Sequence, residues 1–135
     1  MLADPDLTEA DLERLVTRFY AAVRADADLG PIFNDAIADW PHHLGKLSAF
    51  WSSVMLLSGR YHGRPMQAHL LHADRITPEL FGRWLALWSD TTDALFPPAV
   101  AARLQEKARR IGDSLQMGLR FYADPTRKAS HHDHA

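Results

Sequence analysis

Tyr61-His62-Gly63-Arg64-Pro65-Met66-Gln67-Ala68-His69 reads as a loop that leads into a short helix around Pro65 to Leu71. It interrupts a chain whose flanks are helical and strongly aromatic. Upstream, Trp40 through Phe50 and Trp51 to Leu57 is largely apolar; downstream, Thr77 to Phe96 carries Phe81, Trp84, Trp88 and Phe96. An imidazole therefore stands between two aromatic segments. The stretch from Arg60 to Arg75 is mostly irregular without being disordered in composition, and an insert of that length inside a small domain points to function.

Outward from the insert, the periodicity predicts helices only. Thr8 caps a first helix, with Asp11 three residues on and Leu12, Leu15, Val16, Phe19 and Val23 at helical spacing to about Asp26. Asp28-Leu29-Gly30-Pro31-Ile32-Phe33 reads as a turn that delivers Phe33 inward, since glycine and proline oppose helix continuation. A second helix starts at Asp39 to Pro41, carries the stripe Leu44, Leu47, Phe50 or Trp51 and Val54, and stops near Ser58-Gly59. Thr77-Pro78-Glu79 opens a third helix that runs to about Leu95. Pro97-Pro98 opens a fourth, with Val100, Leu104, Ala108, Ile111, Leu115 and Leu119 on one side. The class is all-α, with four main helices and two facing pairs arranged as a sandwich.

Composition narrows the function. The 135 residues suit one domain, and 47% hydrophobic with 24% charged residues is ordinary for a globular chain. Fifteen basic against seventeen acidic residues leave a net charge of -2, which is no footprint for nucleic acid. Without cysteine there is no disulfide, thiolate nucleophile, iron–sulfur ligation or covalent haem attachment. No signal peptide or membrane-spanning run is read, so the expectation is a cytoplasmic protein without a membrane partner.

Several side chains carry two readings. His69 and His72 are three apart and share a side of a helix, but no acidic residue stands at a matching offset. From the insert alone His69 is a hydrogen-bonded core histidine; the alternative is an axial ligand to a porphyrin iron, for which the aromatic neighbours supply an apolar slot. Tyr20 is either a half-buried core residue or a hydroxyl turned into a pocket, and Trp84 is either packing or an indole N–H in search of an acceptor. His43 shares a face with Leu47 and is either an exposed first-turn residue or the guard of a pocket. The tail residues His131, His132 and His134 are a weak metal pattern, and no acid–base pair or Ser-His-Asp arrangement is recognisable.

Taken in order, Phe19-Tyr20-Ala21-Ala22-Val23-Arg24-Ala25-Asp26, Leu29-Gly30-Pro31-Ile32-Phe33, Trp40-Pro41-His42-His43, Phe50-Trp51, Tyr61-x-Gly63-x-Pro65-x-x-x-His69 and Phe81-x-Arg83-Trp84-Leu85 resemble the truncated haemoglobins of group III. The match runs from about Leu7 to Tyr122, and the Gly-Gly motifs of the other groups are missing. The resemblance implies a globin-like 2-on-2 helical sandwich around haem b, with residues 1–123 as the globin domain and 124–135 as a flexible tail. It implies His69 as the iron ligand, with His72 as the alternative. Tyr20, His43, Leu47 and Trp84 would form the distal pocket; Phe33, Phe50 and Trp51 would pack on the cofactor; Tyr61, His62, Arg64 and Arg75 would reach its propionates. The iron would be five-coordinate and open to O2, NO or CO. Strong donation from Tyr20 and Trp84 argues for NO dioxygenation or peroxide turnover with an external reductase rather than transport. The competing readings are haem-based ligand binding or sensing without turnover, and a non-haem helical interaction module.

Overall fold

The computed structural model describes residues 3–65 and 75–123. Among them are five helices and no strand: α1 (Glu9–Ala25), α2 (Gly30–Ala36), α3 (Trp40–Leu56), α4 (Pro78–Leu95) and α5 (Pro98–Ala123). The short helix expected after Pro65, together with His69 and His72, and the tail 124–135 lie outside the described residues.

Local chemistry explains the helix starts. The Thr8 hydroxyl accepts from the Asp11 N–H at 3.1 Å while the Asp11 carboxylate accepts from the Thr8 N–H at 3.0 Å, a reciprocal capping box. Asp39 caps α3 through the His42 N–H at 3.1 Å, and Thr77 caps α4 through the Leu80 N–H at 3.2 Å. Proline follows each of these last two caps within the first turn, where its missing N–H costs nothing. Leu57, in the left-handed region at φ 57°, ends α3 immediately before Ser58-Gly59.

The stretch expected as a turn at Gly30-Pro31 is instead the helix α2. Proline is tolerated because it stands in the first turn, and the Asp26 carboxylate satisfies the N–H groups of Asp28 and Leu29 at 3.1 and 3.0 Å. Gly30 is required by packing: a Cβ there would lie 2.5 Å from the Arg24 carbonyl oxygen at the end of α1. Only the absence of a side chain lets α2 fold back so tightly.

α1 is the central element. It packs against α2, α3 and α4, and α4 packs in turn against α5. Its buried side is Leu12, Leu15, Val16, Phe19, Tyr20 and Val23, each burial stabilising by roughly 1.5–3 kcal/mol. α3 answers with Trp40, Ser48, Trp51, Ser52 and Met55. The buried Ser52 hydroxyl donates to the Glu9 carboxylate at 2.7 Å, and Arg60 pairs with the same carboxylate, tying the loop after α3 to the start of α1. The expected α3 stripe of Leu44, Leu47, Phe50 and Val54 is only partly buried. Leu47 and Phe50 pack against the core on one side and line a cavity on the other. In α5 the same division appears: Val100, Leu104, Ala108 and Leu119 are buried, whereas Ile111 and Leu115 line that cavity.

Candidate functional site

Side chains from α1 to α5 enclose a cavity of about 400 Å³. Phe33 and Ile37 come from α2, Leu47, Phe50 and Trp51 from α3, Leu80, Phe81 and Trp84 from α4, and Ile111 and Leu115 from α5. Pro65 and Ile76 also line it, so the chain meets the cavity on both sides of the segment that carries His69. The exposed residues Ala36 and Lys46 mark the mouth. The cavity walls are mainly apolar and offer few hydrogen-bond partners to water. Protein interiors are otherwise close-packed. The volume also falls within the range of roughly 300–1,000 Å³ found for small-molecule and cofactor pockets.

Polar groups on the wall are few and grouped. Tyr20, held in the middle of α1, is 5% exposed and packs against Phe19 at 4.7 Å and Phe33 at 5.8 Å. The Trp84 indole N–H donates a hydrogen bond to the Tyr20 oxygen. Burial pushes the Tyr20 phenol up to about 12, and the bond from Trp84 works against that rise. The hydroxyl therefore keeps its proton at neutral pH, and because its oxygen accepts from Trp84, its hydrogen serves as a donor. The half-buried His43 ring sits edge-on to Tyr20 at 6.4 Å and to Trp40 at 5.7 Å. Arg24 stacks over Trp40 at 4.5 Å from behind.

The structure thus brings Tyr20, Phe33, His43, Leu47, Phe50, Trp51, Tyr61 and Trp84 together around one space. His62 and Arg64 are exposed and stand apart from the lining, and Arg75 pairs with Asp35 at 3.3 Å. His69 and His72 lie outside the described residues. Among the described residues no group of three His, Cys, Asp or Glu side chains could hold a metal ion, and no helix is long and apolar enough to cross a membrane. Sequence reasoning missed Ile32, Ala36, Lys46 and Leu80 on the wall. Lys46 was findable, since it lies three residues from His43 and four from Phe50 on one helical face. Ile32 and Ala36 were not, because α2 read as a turn.

Helices paired two on two around an apolar cavity define a globin-like sandwich. No protein-family model matches the chain. The Group 3 truncated hemoglobin ctb of Campylobacter jejuni is 31% identical over 120 residues, which are 86% of this chain and 94% of that protein. The crystal structure of a group III truncated hemoglobin from Campylobacter jejuni superposes with a TM-score of 0.77 at 30% identity, covering 91% of this chain and 99% of the other. The chain belongs to the group III truncated haemoglobins. Membership implies haem as cofactor. The cavity fits such a group: aromatic and branched side chains offer flat apolar contact, and the exposed Lys46 on its lining is a cation suited to a propionate.

Proposed function

We propose that the chain binds haem b through His69, takes up O2, NO or CO as ligands, and supports O2/NO or peroxide redox chemistry, either NO dioxygenation or peroxide turnover, with electrons from a separate reductase. When bound, the haem supplies a ferrous iron with one coordination position open to a diatomic molecule. The observation that carries the reading is the buried Tyr20 paired with the half-buried Trp84 on the wall of an apolar cavity that is also lined by Pro65 and Ile76, the described residues on either side of the segment with His69 in the sequence.

The chain's own residues do three things in this reading. Phe33, Leu47, Phe50 and Trp51 exclude water and hold a flat apolar ligand by contact. The Tyr20 hydroxyl, oriented by the Trp84 N–H, donates to an anionic ligand atom, and the low dielectric of the cavity strengthens that bond. His43, against Tyr20 and Trp40, forms the polar edge of the same wall. Strong donation holds a partly negative ligand and slows its release, which suits reaction on the ligand better than delivery of it.

The test is spectroscopic. The protein loaded with haem and recorded in ferric, ferrous and CO-bound forms is expected to show a Soret band that His69→Ala abolishes and His72→Ala preserves. Retention of the band in His69→Ala would remove His69 as the ligand, and failure of the unaltered chain to retain haem would remove the reading entirely.

A further inference from the structure

We propose that the stacked indoles Trp84, Trp88 and Trp51, continued through Phe50 to Tyr61, form a one-electron relay along the wall of the cavity, ending at a phenol that meets solvent. The inference rests on the peroxide branch of the reading above. Trp84 and Trp88 are parallel within 4°, with ring centroids 5.7 Å apart. Trp88 and Trp51 stack at 4.4 Å and 20°. Phe50 then stands edge-on to Trp51 at 5.6 Å and to Tyr61 at 5.2 Å. The row is continuous at van der Waals contact, with Trp84, Trp51, Phe50 and Tyr61 all on the cavity wall and Trp88 fully buried behind it.

Core packing alone does not call for this row. Leu, Ile or Phe at these positions would fill space without a polar N–H to satisfy. Indole and phenol are, however, the side chains here that give up one electron most readily. Stacking spreads the resulting positive charge over neighbouring π systems. The Trp88 N–H donates to the Leu104 carbonyl oxygen at 3.1 Å, so the negative end of a fixed dipole faces the ring that is furthest from water. Phe50 is hard to oxidise and acts only as a contact bridge. Tyr61 is half-buried, so its ring touches the relay while part of it reaches solvent.

The redox balance is simple. Hydrogen peroxide reduced in the cavity takes up two electrons and two protons and leaves as two waters. The relay delivers the electrons singly. An indole gives one electron to the cavity, the hole moves along the stack, and Tyr61 refills it by losing an electron while its phenolic proton passes to water. A phenolic reductant in solution then returns a hydrogen atom to the Tyr61 radical. Two passes convert one peroxide and two phenols into two waters and two phenoxyl radicals.

The haem-loaded protein, treated with hydrogen peroxide and a spin trap and mapped by mass spectrometry, is expected to carry adducts mainly at Tyr61. Trp88→Phe should lower that labelling several-fold, and Tyr61→Phe should abolish it, since Trp51 and Trp88 are too deeply buried for the trap to reach. Tyr61 labelling that is unchanged in Trp88→Phe overturns the relay. A second measurement needs no peroxide: one-electron oxidation of the haem-loaded protein by azide radicals. Tryptophan-radical absorbance should decay into tyrosine-radical absorbance in a first-order step that Tyr61→Phe abolishes, and a step that survives this substitution overturns the relay. If peroxide is not consumed at all, the peroxide reading fails, and the radical transfer still decides the relay by itself.

Discussion

Tyr20→Phe removes one oxygen from a wall whose packing stays in place, because the ring keeps its contacts with Phe19 at 4.7 Å, Phe33 at 5.8 Å and Trp40 at 6.1 Å. At neutral pH two effects oppose each other. The Trp84 N–H loses its acceptor, an orphaned donor costing about 1–3 kcal/mol, at the low end here because Trp84 borders the cavity. A buried hydroxyl is also no longer taken out of water. The net change at pH 7 to 8 is therefore about 1 kcal/mol or less. At alkaline pH the two proteins diverge. Burial raises the Tyr20 phenol from 10.0 to about 12. The unfolded chain gives up this proton first, so the native state binds more protons and stability falls as pH rises. The loss begins near 10, where the unfolded phenol ionises, and is complete once pH passes about 12. Two pKa units at about 1.36 kcal/mol each amount to about 2.7 kcal/mol, a large part of the ~5–15 kcal/mol that holds a domain folded. Urea unfolding followed by tryptophan fluorescence from pH 8 to 12 is the assay. The stability of the unaltered chain relative to Tyr20→Phe should fall by about 2.3 kcal/mol between pH 8 and 12, toward the limit of about 2.7, so that Tyr20→Phe becomes the more stable protein at the alkaline end. Parallel pH curves for the two proteins would refute the burial argument. The same substitution should speed O2 dissociation from the haem-loaded protein by about tenfold, the equivalent of about 1.4 kcal/mol of hydrogen bonding.

Other consequences follow from single contacts. Gly30→Ala drives a Cβ to 2.5 Å from the Arg24 carbonyl, a backbone atom that cannot step aside, and is expected to destabilise by about 1–3 kcal/mol and to weaken haem retention through the displaced α2, read by thermal unfolding and by haem transfer to an acceptor protein. Asp26 is held below its ordinary value of 3.8, chiefly by the Leu29 N–H and also by Arg83 at 2.8 Å. The native state therefore favours its ionised form, and this stability is present above about 4 and lost as pH falls through the lowered value. Asp26→Asn should flatten the acid limb of the unfolding profile; an unchanged acid midpoint and steepness would show that the carboxylate's charge contributes nothing there.

The helices were legible because their signals are local. Thr8 with Asp11, Asp39 with Pro41, and Thr77 with Pro78 announce helix starts within one turn, and the bonds they make fall within three residues. The resemblance to group III truncated haemoglobins was legible for a related reason: Tyr20, His43, Tyr61 and Trp84 keep their order and spacing whether or not their environment is known. What failed locally was α2. Gly30 and Pro31 break helices in isolation, and only the approach of Gly30 to the Arg24 carbonyl and the capping by Asp26 reverse that preference.

The site divides in the same way. Leu47, Phe50, Ile111 and Leu115 carry the periodicity of core residues, and nothing within their own helices separates them from Leu12 or Leu104, which are truly buried. The distinction lies in what faces them. Five helices and the residues on both sides of the segment with His69 converge without filling the space between, and the parallel row of Trp84, Trp88 and Trp51 exists only because α3 and α4 both pack against α1. For α1, α3, α4 and α5, sequence by itself determined where the chain coils and which side of each helix is apolar, since those depend on neighbours a few residues away. Tertiary structure alone decided which apolar faces meet each other and which meet a cavity, because that depends on residues from Tyr20 to Leu115 brought together across almost the whole fold.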